Sequence, residues 1–162
     1  MITLVLGGAR SGKSEVGERL AAALGPDVTY VATAVPDPAD ADFAVRIDKH
    51  RARRPQSWTT VEVGADLADV LATLDGPVLV DSLGTWVAAT ADPDSDALCH
   101  ALTHRAGATV VVSEEVGLGV HPSSEAGRRF RDALGIVNRA VADVADDVLL
   151  VVAGRVLPLA RA

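Results

Sequence analysis

Leu4-Val5-Leu6-Gly7-Gly8-Ala9-Arg10-Ser11-Gly12-Lys13-Ser14 is an apolar β-type run that passes directly into the pattern G-x-x-x-x-G-K-S. This pattern is a phosphate-binding loop, and each residue type in it answers a demand of the polyphosphate. Gly7, Gly8 and Gly12 let the backbone approach phosphate oxygens in dihedrals that a Cβ would oppose. The successive N–H groups through Ala9, Arg10 and Ser11, with the N-terminus of the following helix, aim partial positive charge at the anion. Lys13 then reaches the β/γ-phosphates, and the Ser14 hydroxyl holds Mg²⁺. Val16, Leu20, Ala23 and Leu24 follow at helical spacing, so the loop stands in the strand–loop–helix context that the motif requires.

Outward from the loop, strand-like runs alternate with helical patterns. The strand candidates are Ile2–Leu6, Val28–Ala32, Pro77–Asp81, Thr109–Ser113 and Val148–Val152, with a shorter run at Trp58–Val63 that could extend an edge. Between the fourth and fifth, Phe130, Leu134, Val137, Val141 and Val144 recur at spacings of three and four, which predicts a helix from about Ser124 to Val144. The alternation implies an α/β fold, P-loop NTPase-like, with a mostly parallel sheet and helices on both faces. At 162 residues the chain makes one domain, 1–162, with no room for a second. The Pro- and Asp-rich stretches Pro36–Asp42 and Asp92–Asp96 read as loops that end in helix N-termini.

Composition narrows the function classes. A formal net charge of −7 argues against general nucleic-acid binding, which needs a basic surface. Cys99 is the only cysteine, so neither an intrachain disulfide nor a thiolate metal cluster can form. No apolar stretch approaches the length of a membrane span, and the apolar N-terminus reads as a strand rather than a signal. A cytoplasmic, soluble protein is the expectation.

Ligands in such sheets bind beyond the carboxyl ends of the strands, which makes Thr33, Asp81 and Glu114-Glu115 candidates. Val78-Leu79-Val80-Asp81, an apolar strand ending in a carboxylate, has the form of a second Mg²⁺-supporting element beside Ser14. One of the two glutamates can instead cap the turn into Val116-Gly117-Leu118-Gly119. The most unusual composition lies in Arg46-Ile47-Asp48-Lys49-His50-Arg51-Ala52-Arg53-Arg54, where five of nine residues are Lys or Arg in an acidic chain. It reads either as a solvated helix end or as an anion site around His50. Surrounding positive charge favours neutral imidazole, a competent nucleophile toward a phosphoryl group. His100 and His104 lie four apart, a spacing that a metal could use, but no third ligand is nearby.

The phosphate loop together with Tyr30-Val31-Ala32-Thr33-Ala34, the run His50…Arg54-Pro55…Trp58…Glu62 and the run Glu115-Val116-Gly117-Leu118-Gly119-Val120-His121-Pro122 resembles a known family. This is the bifunctional adenosylcobinamide kinase / adenosylcobinamide-phosphate guanylyltransferase of cobalamin synthesis. The resemblance extends through Arg129-Phe130-Arg131-Asp132 to Leu150-Val151-Val152-Ala153-Gly154, nearly the whole chain. It implies phosphorylation of adenosylcobinamide by ATP or GTP, then transfer of GMP from GTP to the product through a guanylyl-histidine. The family's nucleophile falls on His50. Its nucleotide contacts fall on Gly7 to Ser14, Thr33, Ala34, Val35, Arg51, Ala52, Arg53, Arg54, Glu62 and Asp81, and it suggests a homotrimer. Three departures from the pattern stand out: segment 82–108 is short, Ala34-Val35 lacks the small polar residues expected after Thr33, and Lys49 stands where some relatives carry a second histidine. Two other readings fit the residues alone. A P-loop kinase of another small metabolite would need Lys13, Ser14 and Asp81 but not His50. A nucleotide-binding regulator would turn over little.

Overall fold

Strand β1 (Ile2–Gly7) is buried along its whole length, as a continuous aliphatic run must be when helices cover both faces of a sheet. In the computed structural model, which describes residues 1–34 and 54–161, it lies inside a seven-stranded sheet of order β3-β2-β4-β5-β1-β6-β7. The strands are β2 (Thr29–Ala32), β3 (Thr59–Glu62), β4 (Val78–Asp81), β5 (Thr109–Glu114), β6 (Asp147–Val152) and β7 (Arg155–Pro158). All pairings are parallel except β6 with β7.

Successive side chains of a strand point to opposite faces, so the sheet has two cores. Ile2, Leu4 and Leu6 pack with α2 (Leu67–Thr73), α3 (Leu83–Ala89), α4 (Ser95–His104) and α5 (Glu125–Val144). Val5 packs on the other face with Val16 and Ala21 of α1 (Lys13–Ala22), and with Tyr30 and Trp58. The helices thus cover both faces, as expected. The predicted long helix is α5: Ser124 caps it by accepting from the Gly127 amide, and Leu134, Val137 and Val141 are buried. Asp94 caps α4 in the same way, through the Ala97 amide, so the Asp-rich stretch before it is a helix start. The stretch Pro36–Asp42 lies outside the described residues.

Two expectations needed correction. In α1 the buried residues are Val16, Gly17 and Ala21, whereas Ala23 is the exposed C-cap, because the helix ends at Ala22, two residues short of the end of its apolar pattern at Leu24. Strand β7 was not anticipated, since its residues are exposed and carry no burial pattern. It returns from β6 through Ala153-Gly154, both at positive φ (50° and 73°). Two such residues make the tight turn whose twist matches a hairpin. The predicted edge run is β3, paired to β2 at one rim of the sheet.

Candidate active site

The phosphate loop leaves β1 at Gly7 and enters α1 at Lys13. Gly12, the N-cap, sits at φ 93°, a conformation open to glycine at little cost. The Ser11 amide donates to the Gly8 carbonyl at 3.3 Å, and the Lys13 amide donates to Ser11 Oγ at 3.3 Å. Behind the loop, the Gly154 amide of the β6–β7 turn donates to the Ser11 carbonyl at 2.8 Å. The unforeseen hairpin therefore braces the loop from below. Ala9 and Arg10 are exposed at its tip, where a polyphosphate would lie. Lys13 Nζ curls back to 3.4 Å from the Gly8 carbonyl and 3.4 Å from Glu114 Oε1.

Two strands away, Asp81 ends β4. Its Oδ1 accepts from Ser14 Oγ at 3.4 Å and its Oδ2 from the Tyr30 hydroxyl at 2.9 Å. The fold therefore brings Ser14 and Asp81 together, although they are distant in the chain. Tyr30 was not foreseen as a site residue. Burial pushes its phenol far above the ordinary range; the Asp81 charge adds to the shift and Arg54 opposes it. The phenol thus stays a donor to the carboxylate. The Arg54 guanidinium lies 3.3 Å from the centroid of the Tyr30 ring and donates to Thr60 Oγ1 at 3.2 Å. Arg54 is thereby held one side chain away from Asp81.

Glu114 ends β5, in register with Gly7 of β1. Besides Lys13, it accepts from Ser82 Oγ at 3.0 Å on each oxygen and from the Gly84 amide at 3.0 Å. Its neighbour Glu115 is the glutamate that caps the turn, accepting from the Gly117 amide at 2.6 Å. Thr33 is fully buried, and its hydroxyl donates to the Ser82 carbonyl at 2.5 Å and accepts from the Ser82 amide at 2.9 Å. That side chain braces the turn after β4, which leaves only its backbone to face a ligand. Ala34 is half-buried just beyond β2, and Glu62 is exposed at the end of β3, in register with Ala32, which also pairs with Asp81. Val35, His50, Arg51, Ala52 and Arg53 lie outside the described residues. His100 and His104 stack on α4 with centroids 4.0 Å apart, and no group of three His, Cys, Asp or Glu that could hold a metal occurs among the described residues.

Ser82 and Glu114 carried too little local signal to be paired with the loop from the sequence. A serine after a strand is common, and only the adjacency of β4, β5 and β1 brings these groups together. No helix among the described residues is long and apolar enough to cross a membrane.

Comparison with known proteins bears on the fold and the family. The ATPase EscN of the enteropathogenic Escherichia coli type III secretion system superposes with a TM-score of 0.58 at 12% identity, covering 94% of this chain and 43% of that one. A second ATPase of a type III secretion system gives 0.59 at 13% identity, covering 92% and 50%. At such identities the likeness speaks for the fold alone, a mostly parallel sheet with helices on both faces. In sequence, the bifunctional adenosylcobalamin biosynthesis protein CobP of Pseudomonas aeruginosa is 41% identical over 170 residues, spanning 98% of this chain and 97% of that protein. The bifunctional adenosylcobalamin biosynthesis protein CobU of Escherichia coli K12 is 35% identical over 178 residues, spanning 95% and 97%. The family model described as cobinamide kinase / cobinamide phosphate guanyltransferase matches residues 3–159. The chain belongs to the cobinamide kinase / cobinamide phosphate guanyltransferase family.

Proposed function

We propose that this chain performs both reactions that its family description names, using one phosphate loop. A nucleoside triphosphate phosphorylates adenosylcobinamide; GMP then passes from GTP to adenosylcobinamide phosphate. The observation that carries this reading is the convergence of Lys13 and Ser14 with the strand-end carboxylates Glu114 and Asp81, in a chain matched to the family from residue 3 to 159. Phosphoryl and nucleotidyl transfer are mostly matters of positioning and charge neutralisation, and this site supplies both.

In the first reaction the loop amides and Lys13 hold the triphosphate while the acceptor oxygen attacks the γ-phosphorus. In the second, His50 attacks the α-phosphorus; a P–N bond forms and pyrophosphate leaves. The substrate phosphate then takes the guanylyl group and releases neutral histidine. Arg51, Arg53 and Arg54 lie next to His50 in the sequence and would neutralise phosphate charge, while Thr33, Ala34, Val35 and Glu62 would frame the nucleotide.

Ser14 and Asp81 would hold Mg²⁺. A hydroxyl and one carboxylate, 3.4 Å apart, suit an ion that keeps water and phosphate oxygens as its remaining ligands. Held there, the ion would supply positive charge to offset that of the phosphates. We read the enzyme as cytoplasmic and homo-oligomeric, the trimer being the family's suggestion.

Incubation with α-labelled GTP and Mg²⁺ should leave an acid-labile, base-stable label on the protein. The His50→Ala variant should take up none yet still phosphorylate adenosylcobinamide, and Lys13→Ala should lose both reactions. Equal labelling of the wild type and His50→Ala would remove the histidine route. A kinase active only on other metabolites would favour the simpler P-loop kinase.

A further inference from the structure

Transfer of a phosphoryl group to an alcohol releases a proton, whereas transfer of GMP to an already ionised phosphate ester does not. The two reactions at this site therefore differ in one chemical requirement, a proton acceptor beside the γ-phosphoryl group. Four carboxylates stand at the carboxyl edge of the sheet among the described residues. Asp81 faces Ser14 and Tyr30, on the metal side. Glu115 is turned into the following loop by the Gly117 amide. Glu62 stands on β3, with β2, β4 and β5 between it and β1. Glu114 is the remaining one, and it is in register with the first glycine of the loop.

We infer that Glu114 is the general base of the kinase reaction, a reading that rests on the bifunctional assignment above. Its Oε1 lies 3.4 Å from Lys13 Nζ, and Lys13 is the residue that reaches the β/γ-phosphates, so this carboxylate borders the γ-phosphoryl position. The side chain is fixed yet reachable. Ser82 Oγ and the Gly84 amide hold it at 3.0 Å, while about a quarter of it (27%) stays exposed. A Cβ on Gly84 would collide with the carboxylate, so the backbone at this position is packed against it. From behind, Asn138 Nδ2 donates to the Glu114 carbonyl at 3.0 Å and pins the end of β5. When a triphosphate engages Lys13, Oε1 loses its cation and keeps only the Ser82 hydroxyl, which leaves it able to accept from the substrate hydroxyl, whereas Oε2 holds both Ser82 and the Gly84 amide.

The step balances. The hydroxyl proton passes to Glu114 Oε1, and the oxygen lone pair forms the new bond to the γ-phosphorus. The bond from that phosphorus to the β–γ bridging oxygen breaks, and its electron pair leaves with the nucleoside diphosphate. Glu114 then returns the proton to solvent. No such proton exists in the guanylyl step, because the acceptor is a phosphate.

The test uses Glu114→Gln, which keeps the size of the side chain and an oxygen for the Gly84 amide but cannot take the proton. Each reaction is assayed separately, with adenosylcobinamide for the first and adenosylcobinamide phosphate supplied directly for the second. The kinase rate should fall about 100-fold or more relative to the guanylyl-transfer rate, the lower range for loss of a general base. Glu114→Asp keeps a carboxylate and should retain at least about tenfold more kinase activity than Glu114→Gln on the same scale. A parallel fall of both reactions would reduce Glu114 to a positioning residue for Lys13, and a kinase rate within a few-fold of wild type would exclude it as a base. Should Glu114→Gln fail to fold, the Asp variant decides, since equal loss of both reactions there overturns the inference. A wild-type protein inactive on both corrinoids would instead fail the bifunctional assignment.

Discussion

Tyr30 sits almost wholly buried between two charges, its hydroxyl on Asp81 and its ring beneath the Arg54 guanidinium. It links the end of the basic segment to the carboxylate beside Ser14. Tyr30→Phe keeps the ring and the stacked cation and removes one hydrogen bond to an ionised group, a change worth about 1.5–3 kcal/mol when such a bond is well buried. The expected outcome is a stability loss of about 1–2 kcal/mol by urea titration, because Asp81 is only partly buried. A higher Mg²⁺ concentration should also be needed for half-maximal histidine labelling, since Asp81 is then less firmly aimed. An unchanged Mg²⁺ midpoint would make Tyr30 a packing residue only. The sequence marked Tyr30 as part of a family motif but offered no reason for it, because its partners are Asp81 and Arg54, both remote in the chain.

Helix α1, whose first turn carries Lys13 and Ser14, lies close on the sheet, and Gly17 is what permits the approach. A Cβ there would stand 2.6 Å from Val112 Cγ2, in the densely packed second core. Glycine in a helix interior ordinarily costs about 1 kcal/mol relative to alanine. Here the overlap outweighs that gain: Gly17→Ala should destabilise by about 1–3 kcal/mol, the usual cost of overpacking. It should also raise KM for GTP as α1 shifts; a more stable variant in thermal unfolding would refute the packing argument. At this scale the sequence was readable where a pattern is local. Helix α5 and the six anticipated strands follow from period and β-branched runs, while β7 escaped because it is exposed, short and attached through an Ala-Gly turn.

The molecule divides its work between the two edges of the sheet. The candidate site residues gather at the carboxyl ends of β1, β2, β4 and β5, and the opposite edge is stitched by Arg105. Its guanidinium donates to the carbonyls of Leu74 (3.2 Å), Gly76 (2.6 Å) and Gly107 (3.2 Å), and to Thr109 Oγ1 (2.7 Å). Burial lowers its proton affinity somewhat, with Asp75 opposing. Arg105→Ala would leave several backbone carbonyls without this donor and should cost about 2–3 kcal/mol. Because the site lies at the other edge, KM for GTP and the extent of histidine labelling should stay at wild-type values in protein kept below its lowered melting temperature. A large change in either would mean that the edges are coupled.

The sequence by itself determined the phosphate loop, the α/β alternation, Asp81 as a strand-end carboxylate and the family resemblance. Each rests on residues adjacent in the chain or on a short period, and the chemistry of consecutive amides needs no distant partner. Tertiary structure alone decided which carboxylate faces which residue of the loop. With β5 beside β1, and β4 one strand further, Glu114 falls on Lys13 and Asp81 on Ser14. It also decided that Thr33 spends its hydroxyl on the Ser82 backbone, and that the β6–β7 turn supports the loop. The physical reason is strand order. Side chains that meet across a parallel sheet are brought together by crossovers whose pairing no local pattern records.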